Sequence, residues 1–155
     1  MKVQICKESD VIIGVHASWA RELSASIAVS DAGSIAISHI DGYLLQDNAI
    51  WLFKIGICVY PAKRWGDPSI GYDRKGWLCM RVLWITCVTK AAALERLLIH
   101  HYLHDGGVSG CQNISPGGEG ISSMFSGPIA VYVVFRACMI YDGLERRHVH
   151  AMRRS

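Results

Sequence analysis

Residues 50–59 read IWLFKIGICV, an apolar run with one charge, Lys54, near its centre. Two comparable runs follow: Trp77–Cys87, broken only by Arg81, and Ile129–Ile140, which begins just after Pro128. Apolar runs of this length, bounded by turn residues, read as buried strands rather than half-exposed ones. Three such strands in one chain call for a small sheet with its faces covered.

The segments between them supply the cover. Tyr43–Gln46 and Ile50–Val59 flank the turn-like pair Asp47-Asn48, a pattern that predicts a β-hairpin. Pro61 suits the first turn of a helix, where its missing N–H costs nothing, so Ala62–Trp65 reads as a short helix ended by Gly66 and Pro68. Residues 66–76 form a polar, glycine-rich loop. Thr89 is a good N-cap for a helix over Lys90–His104, closed by Gly106 and Gly107. Residues 105–128 are a long glycine-rich loop, the kind that is usually functional or unstructured. Further upstream, Trp19, Leu23 and Ile27 at four-residue spacing suggest a helical face, and Ser34–Ile40 reads as a short strand. The expectation is an α/β fold with a small central, mainly antiparallel sheet of three to four strands flanked by helices. Residues 1–40 read as an N-terminal extension packed on the same domain, 41–140 as its body, and 141–155 as a basic tail.

Composition narrows the class. Hydrophobic residues make up 51% of the 155 and charged residues 19%, which argues against disorder. Lys54 and Arg81 interrupt the two longest candidates for a membrane span. Glu8 and Asp10 stand where a secretory signal would need its apolar region. Six cysteines form no CxxC pair, and four lie in apolar stretches where a thiol behaves as a small hydrophobe. A soluble protein of a reduced intracellular compartment, cytoplasmic or nuclear, is the expectation, with no membrane partner. The net charge of +3 permits contact with nucleic acid without demanding it, and the sequence leaves the oligomeric state open.

Four polar residues stand out against this background. Lys54 sits inside a strand, Arg64 on the short helix, Glu95 mid-helix among apolar neighbours in ALERLLIHHYL, and Asn113 at the head of NISPGGEG. Two cations, a carboxylate and an amide can converge on a phosphodiester. The carboxylate would hold Mg²⁺ or Mn²⁺, and the arginine would clamp phosphate oxygens. Each residue also has a plain structural reading: a solvated helix glutamate, a surface arginine, a turn-capping asparagine, a lysine snorkelling from an edge strand.

In order, Gly42-Tyr43, Lys54-Ile55-Gly56, Arg64, Glu95–Ile99 and Cys111–Gly120 (CQNISPGGEG) resemble the motifs of the GIY-YIG nuclease superfamily. The likeness covers residues 42–136. Here the first motif reads DGY, and Lys54 stands where the second tyrosine is usual, as in a KIG variant. The resemblance implies a DNA endonuclease. Tyr43 would help to activate water, Lys54 and Arg64 would neutralise phosphate charge, Glu95 would bind one Mg²⁺ or Mn²⁺, and Asn113 would orient the loop or a substrate group. Tyr60 and Tyr72 are spare phenols in the same region. Trp65 and Trp77 flank the glycine-rich loop and could stack on bases, and the backbone at Gly117 and Gly118 could cradle phosphate. A lysine near its ordinary pKa is protonated at neutral pH and binds phosphate rather than acting as a base.

A second class of reading keeps the fold and drops the chemistry: a nucleic-acid-binding or interaction module. A third is a small α/β protein with an unrelated role. Glu95 discriminates between the first two, because catalysis needs it in a cleft shared with Arg64 and Lys54. His100 and His104, spaced i, i+4, can hold zinc on one helix face or be ordinary surface histidines.

Overall fold

A computed structural model describes residues 15–16, 19–22, 27–45, 50–115, 117–118, 121–122, 124–140 and 147–149. Its elements are β1 (Val15–His16), β2 (Arg21–Glu22), α1 (Val29–Leu44), β3 (Ile50–Cys58), α2 (Pro61–Gly66), β4 (Cys79–Thr86), α3 (Val88–His104), β5 (Ile129–Ile140) and β6 (Arg147–Val149). The class is α/β. Strands β4, β5 and β3 form an antiparallel body with β5 in the middle. Short strands extend it: β1 and β2 run parallel to β4, and β6 runs antiparallel to β5.

The three apolar runs become the three long strands, and Pro61 opens α2. Helix α3 starts one residue before Thr89, with Cys87 rather than Thr89 at the N-cap. The expected hairpin is not formed. Tyr43 and Leu44 are the last residues of α1, and Ser34–Ile40 lies wholly inside that helix. Gln46, Asp47 and Asn48 lie outside the described residues, as does Leu23, while Arg21–Glu22 is strand rather than helix. The physical reason is periodicity and reach. Ala32, Ala36, Ile40 and Tyr43 recur at helical spacing, and all are buried. Strand β3 instead takes its partner from the far end of the chain. An unbroken ladder runs from Ile50 opposite Cys138 to Cys58 opposite Ala130, nine pairs that a four-residue segment could not supply.

Because side chains alternate along a strand, the sheet has two distinct faces. One carries Phe53 and Ile55 from β3, Val131, Val133 and Phe135 from β5, and Cys79 from β4; α1 and α3 pack over it. The helices approach closely at Gly33, where a Cβ would lie 2.6 Å from Leu97 Cδ2. Some polar groups of this core are paired internally, while the buried Trp51 Nε1 has no hydrogen-bond partner among the described residues. Trp84 Nε1 donates to the Ala32 carbonyl at 3.1 Å, and the Tyr102 hydroxyl donates to Asp41 Oδ1 at 2.7 Å.

The other face has a thinner cover, made by α2 and residues 67–77. Trp65, Tyr72 and Trp77 pack there against Met80, Val82, Ala130, Tyr132 and Val134. The covering turn is held by Asp67, whose Oδ1 accepts from the Ser69 N–H at 2.8 Å, the Ser69 hydroxyl at 2.9 Å and the Ile70 N–H at 3.1 Å. These hydrogen bonds lower the Asp67 pKa below the usual carboxylate value.

Candidate active site

Strand β3 is the last in the sheet order, and a cleft of about 570 Å³ runs along it. Lys54, Arg64, Glu95 and Asn113 all line it, together with Tyr72 and Tyr132. Four residues singled out by type and spacing are thus brought to one place from β3, α2, α3 and the loop after α3.

Glu95 arrives there because it lies on the buried stripe of α3, between Ala91, Leu94, Leu98, Ile99 and Tyr102. A carboxylate on that stripe, only 7% exposed, needs polar partners. One is supplied by the loop: the Gly118 N–H donates to Glu95 Oε2 at 2.5 Å. Gly117 and Gly118 both have positive φ, at 88° and 86°. A Cβ at Gly118 would collide with Arg96, and one at Gly117 would lie 3.0 Å from Glu95 Cγ. Two consecutive glycines let the backbone fold down onto the carboxylate.

Asn113 pins the start of that loop. Its Nδ2 donates to the Ile55 carbonyl at 2.8 Å, and its Oδ1 accepts from the Ile55 N–H at 2.8 Å. Just before it, the Phe53 N–H donates to the Gly110 carbonyl and the Gln112 N–H to the Phe53 carbonyl. The Asn113 amide therefore extends a short backbone ladder along the outer edge of β3. Both ends of the amide are engaged with backbone, so Asn113 positions the loop.

On the other wall, Arg64 interacts favourably with the hydroxyls of Tyr132 and Tyr72, and its guanidinium carbon lies 4.9 Å from the centre of the Tyr72 ring. The two phenols are joined by a 3.0 Å hydrogen bond. Burial works against the Arg64 cation, but its contacts with Tyr132 and Tyr72 outweigh burial and raise its pKa above the ordinary arginine value. Burial is also the first cause that pushes the Tyr132 hydroxyl well above the ordinary phenol range, with Tyr72 adding to it and Arg64 opposing it. Tyr132 is thus a neutral hydrogen-bonding phenol. The neighbouring Cys58 thiol is pushed up to about 12 by burial, again against the pull of Arg64.

Tyr132 is the site residue that motif spacing missed. It lies opposite Gly56 in the β3–β5 ladder, and a Cβ on Gly56 would fall 2.5 Å from its hydroxyl oxygen. The glycine two residues after Lys54 leaves room for a tyrosine from a strand some seventy-five residues away. The available signal was the tyrosine within the last apolar run.

The remaining candidates divide. Tyr72 belongs to the cluster. Tyr43 does not line the cleft: it is in the core, stacked on Phe135 at 4.0 Å between ring centres and 3.5 Å from Cys79 Sγ. Trp65 is fully buried and Trp77 nearly so, which leaves neither ring open to stack on a base. Tyr60 is exposed at the N-cap of α2 and is not part of the cleft lining.

The donor set suits a hard divalent cation. Mg²⁺ keeps several of its waters and needs only one or two protein carboxylates beside substrate phosphate, and Glu95 is the carboxylate among the described residues that lines this cleft. Among the described residues no group of three His, Cys, Asp or Glu side chains could hold a metal. His100 instead pairs with Asp105 at 3.2 Å, on the rim of a separate and mostly apolar cleft. Among the described residues, no helix is long and apolar enough to cross a membrane. Comparison of the chain with family models, curated proteins and solved structures returns no match.

Proposed function

We propose that this chain is a metal-dependent endonuclease of the GIY-YIG type that hydrolyses phosphodiester bonds in DNA. The observation that carries the reading is the convergence of Lys54, Arg64, Glu95, Tyr72 and Tyr132 on one cleft. Lys54 and Arg64 bind the scissile phosphate, and Arg64 is the more rigid of the two because both phenols and the Tyr72 ring hold it. As negative charge grows on the phosphoryl oxygens, the pre-positioned guanidinium stabilises it without reorganisation. Glu95 is the metal ligand, and a divalent cation there would polarise the phosphate and assist the leaving oxygen. Tyr132, kept neutral by burial, donates a hydrogen bond to the substrate or to the attacking water, and Tyr72 shares its proton network. Asn113 and Gly118 hold the loop that orients the carboxylate.

The chemistry of the usual first tyrosine then falls to the β5 strand rather than to Tyr43. That substitution also motivates the second reading, a module that binds nucleic acid without cutting it. Supercoiled-plasmid nicking in Mg²⁺ or Mn²⁺ separates the two. The nuclease reading requires nicking by wild type, loss of it in EDTA, and a fall of about 10²–10³-fold in Arg64→Ala. Equal nicking by wild type, Arg64→Ala and Glu95→Gln would expose a contaminant. Binding of DNA without nicking in either metal would leave the binding module.

A further inference from the structure

Beyond the cleft, the thinly covered face of the sheet carries a second arginine with no evident structural task. Arg136 projects from β5 on the same face as Tyr132 and Val134. It is half-buried, with its guanidinium carbon 5.0 Å from the centre of the Trp77 ring. Its Nε is enclosed and has no hydrogen-bond partner among the described residues. A planar guanidinium set on an indole, with no anion against it among the described residues, is prepared for one.

Its position relative to the cleft is set by the ladder. Gly56 faces Tyr132, Lys54 faces Val134, and Leu52 faces Arg136. Each two-residue step along a strand is about 7 Å, so Tyr132, Lys54 and Arg136 stand at successive steps over about 13 Å. The flanking loop adds Arg74 and Lys75, both exposed, while the Asp67 carboxylate is occupied by its own turn.

We propose that this row is a track for the backbone of a single nucleic-acid strand, with Arg136 binding a phosphate upstream or downstream of the one held at Arg64. The proposal rests on the nucleic-acid reading of the cleft but not on its chemistry. It makes Arg136 a substrate-positioning residue, distant from the reacting atoms. It also gives the Trp77 indole, closed to bases, the role of a shelf for the guanidinium.

The test is equilibrium binding of a short fluorescent single-stranded oligodeoxynucleotide in EDTA across a salt series. Losing one phosphate contact lowers the slope of log affinity against log salt by about 1. Arg136→Gln is expected to show that loss, and Arg136→Lys to recover most of it by restoring the charge. Lys90→Gln, at the start of α3, removes the same charge from another part of the surface and is expected to keep the wild-type slope. A wild-type slope in Arg136→Gln, an equal loss in Lys90→Gln, or no binding by wild type overturns the track. Thermal melts of Arg136→Gln and Arg136→Lys guard against a folding defect: a slope loss that tracks a lost transition in both variants also counts against it. Because no metal is present, absent nicking with an Arg136-dependent slope would defeat the nuclease reading and leave the track standing.

Discussion

The two faces of the sheet are built from the same three strands and have opposite characters. The face under α1 and α3 is packed with large apolar side chains, and the Trp84 indole and the Tyr102 hydroxyl find their hydrogen-bond partners inside it. The face under α2 and the 67–77 turn has a smaller core and carries the Arg64–Tyr72–Tyr132 group at the β3 margin. One face mainly stabilises, and the other holds polar groups in set positions. Glu95 links them, because it leaves the helix side and reaches the cleft at that margin.

The division can be broken most severely from the packed side. Phe135 is fully buried and stacks on Tyr43, so Phe135→Ala should cost about 3–5 kcal/mol, read as a fall in the denaturant midpoint. A loss below 1 kcal/mol would mean that this face is not the principal core.

The two tyrosines sharpen the contrast next. Tyr43→Phe, on the packed side, should nick plasmid at the wild-type rate. Tyr132→Phe removes the hydroxyl that joins Arg64 and Tyr72 and should slow nicking by at least about tenfold, a modest share of what a positioned hydrogen-bond donor can contribute. The reverse ranking would return the catalytic phenol to α1.

Gly56→Ala tests how tightly the second face is assembled. The new methyl would meet the Tyr132 hydroxyl and ring, so overpacking of about 1–3 kcal/mol is expected, with nicking impaired beyond what the lost stability explains. Unchanged nicking would show that the Tyr132 ring can move aside without consequence.

Alkaline pH gives the smallest effect. The Tyr132 pKa is raised on folding, so its contribution to stability is present below the ordinary phenol value, near 10, and declines as pH rises above it. Urea midpoints at increasing pH should fall less steeply in Tyr132→Phe than in wild type. Parallel curves would mean that the phenol ionises as freely in the folded protein as in the unfolded chain.

Much of this arrangement was legible in the sequence, and its failures have physical causes. The long strands were readable because unbroken apolar runs bounded by Gly and Pro have few other uses. Lys54, Arg64, Glu95 and Asn113 were readable because each is a polar residue at a position whose surroundings are apolar or glycine-rich. The pairing of β3 was not readable, since local turn signals at Asp47-Asn48 say nothing about a better ladder that forms after residue 128. Tyr43 was placed in a hairpin for the same reason: its helical spacing from Ala32, Ala36 and Ile40, three residues after the last of them, outweighed its nearness to a turn. Asn113 lines the cleft, but its task as a side-chain extension of the β3 edge depends on a contact with Ile55 that only the fold creates.

The central claim is that a carboxylate from the helix side and an arginine from the other face serve one site. The most direct measurement is a single-turnover nicking cycle with wild type, Glu95→Gln, Arg64→Ala and the double variant in saturating Mg²⁺. Residues that work as one unit are strongly non-additive, so the double variant should be little slower than the slower single variant. Losses that simply multiply would contradict the claim, as they would describe two residues acting in separate places.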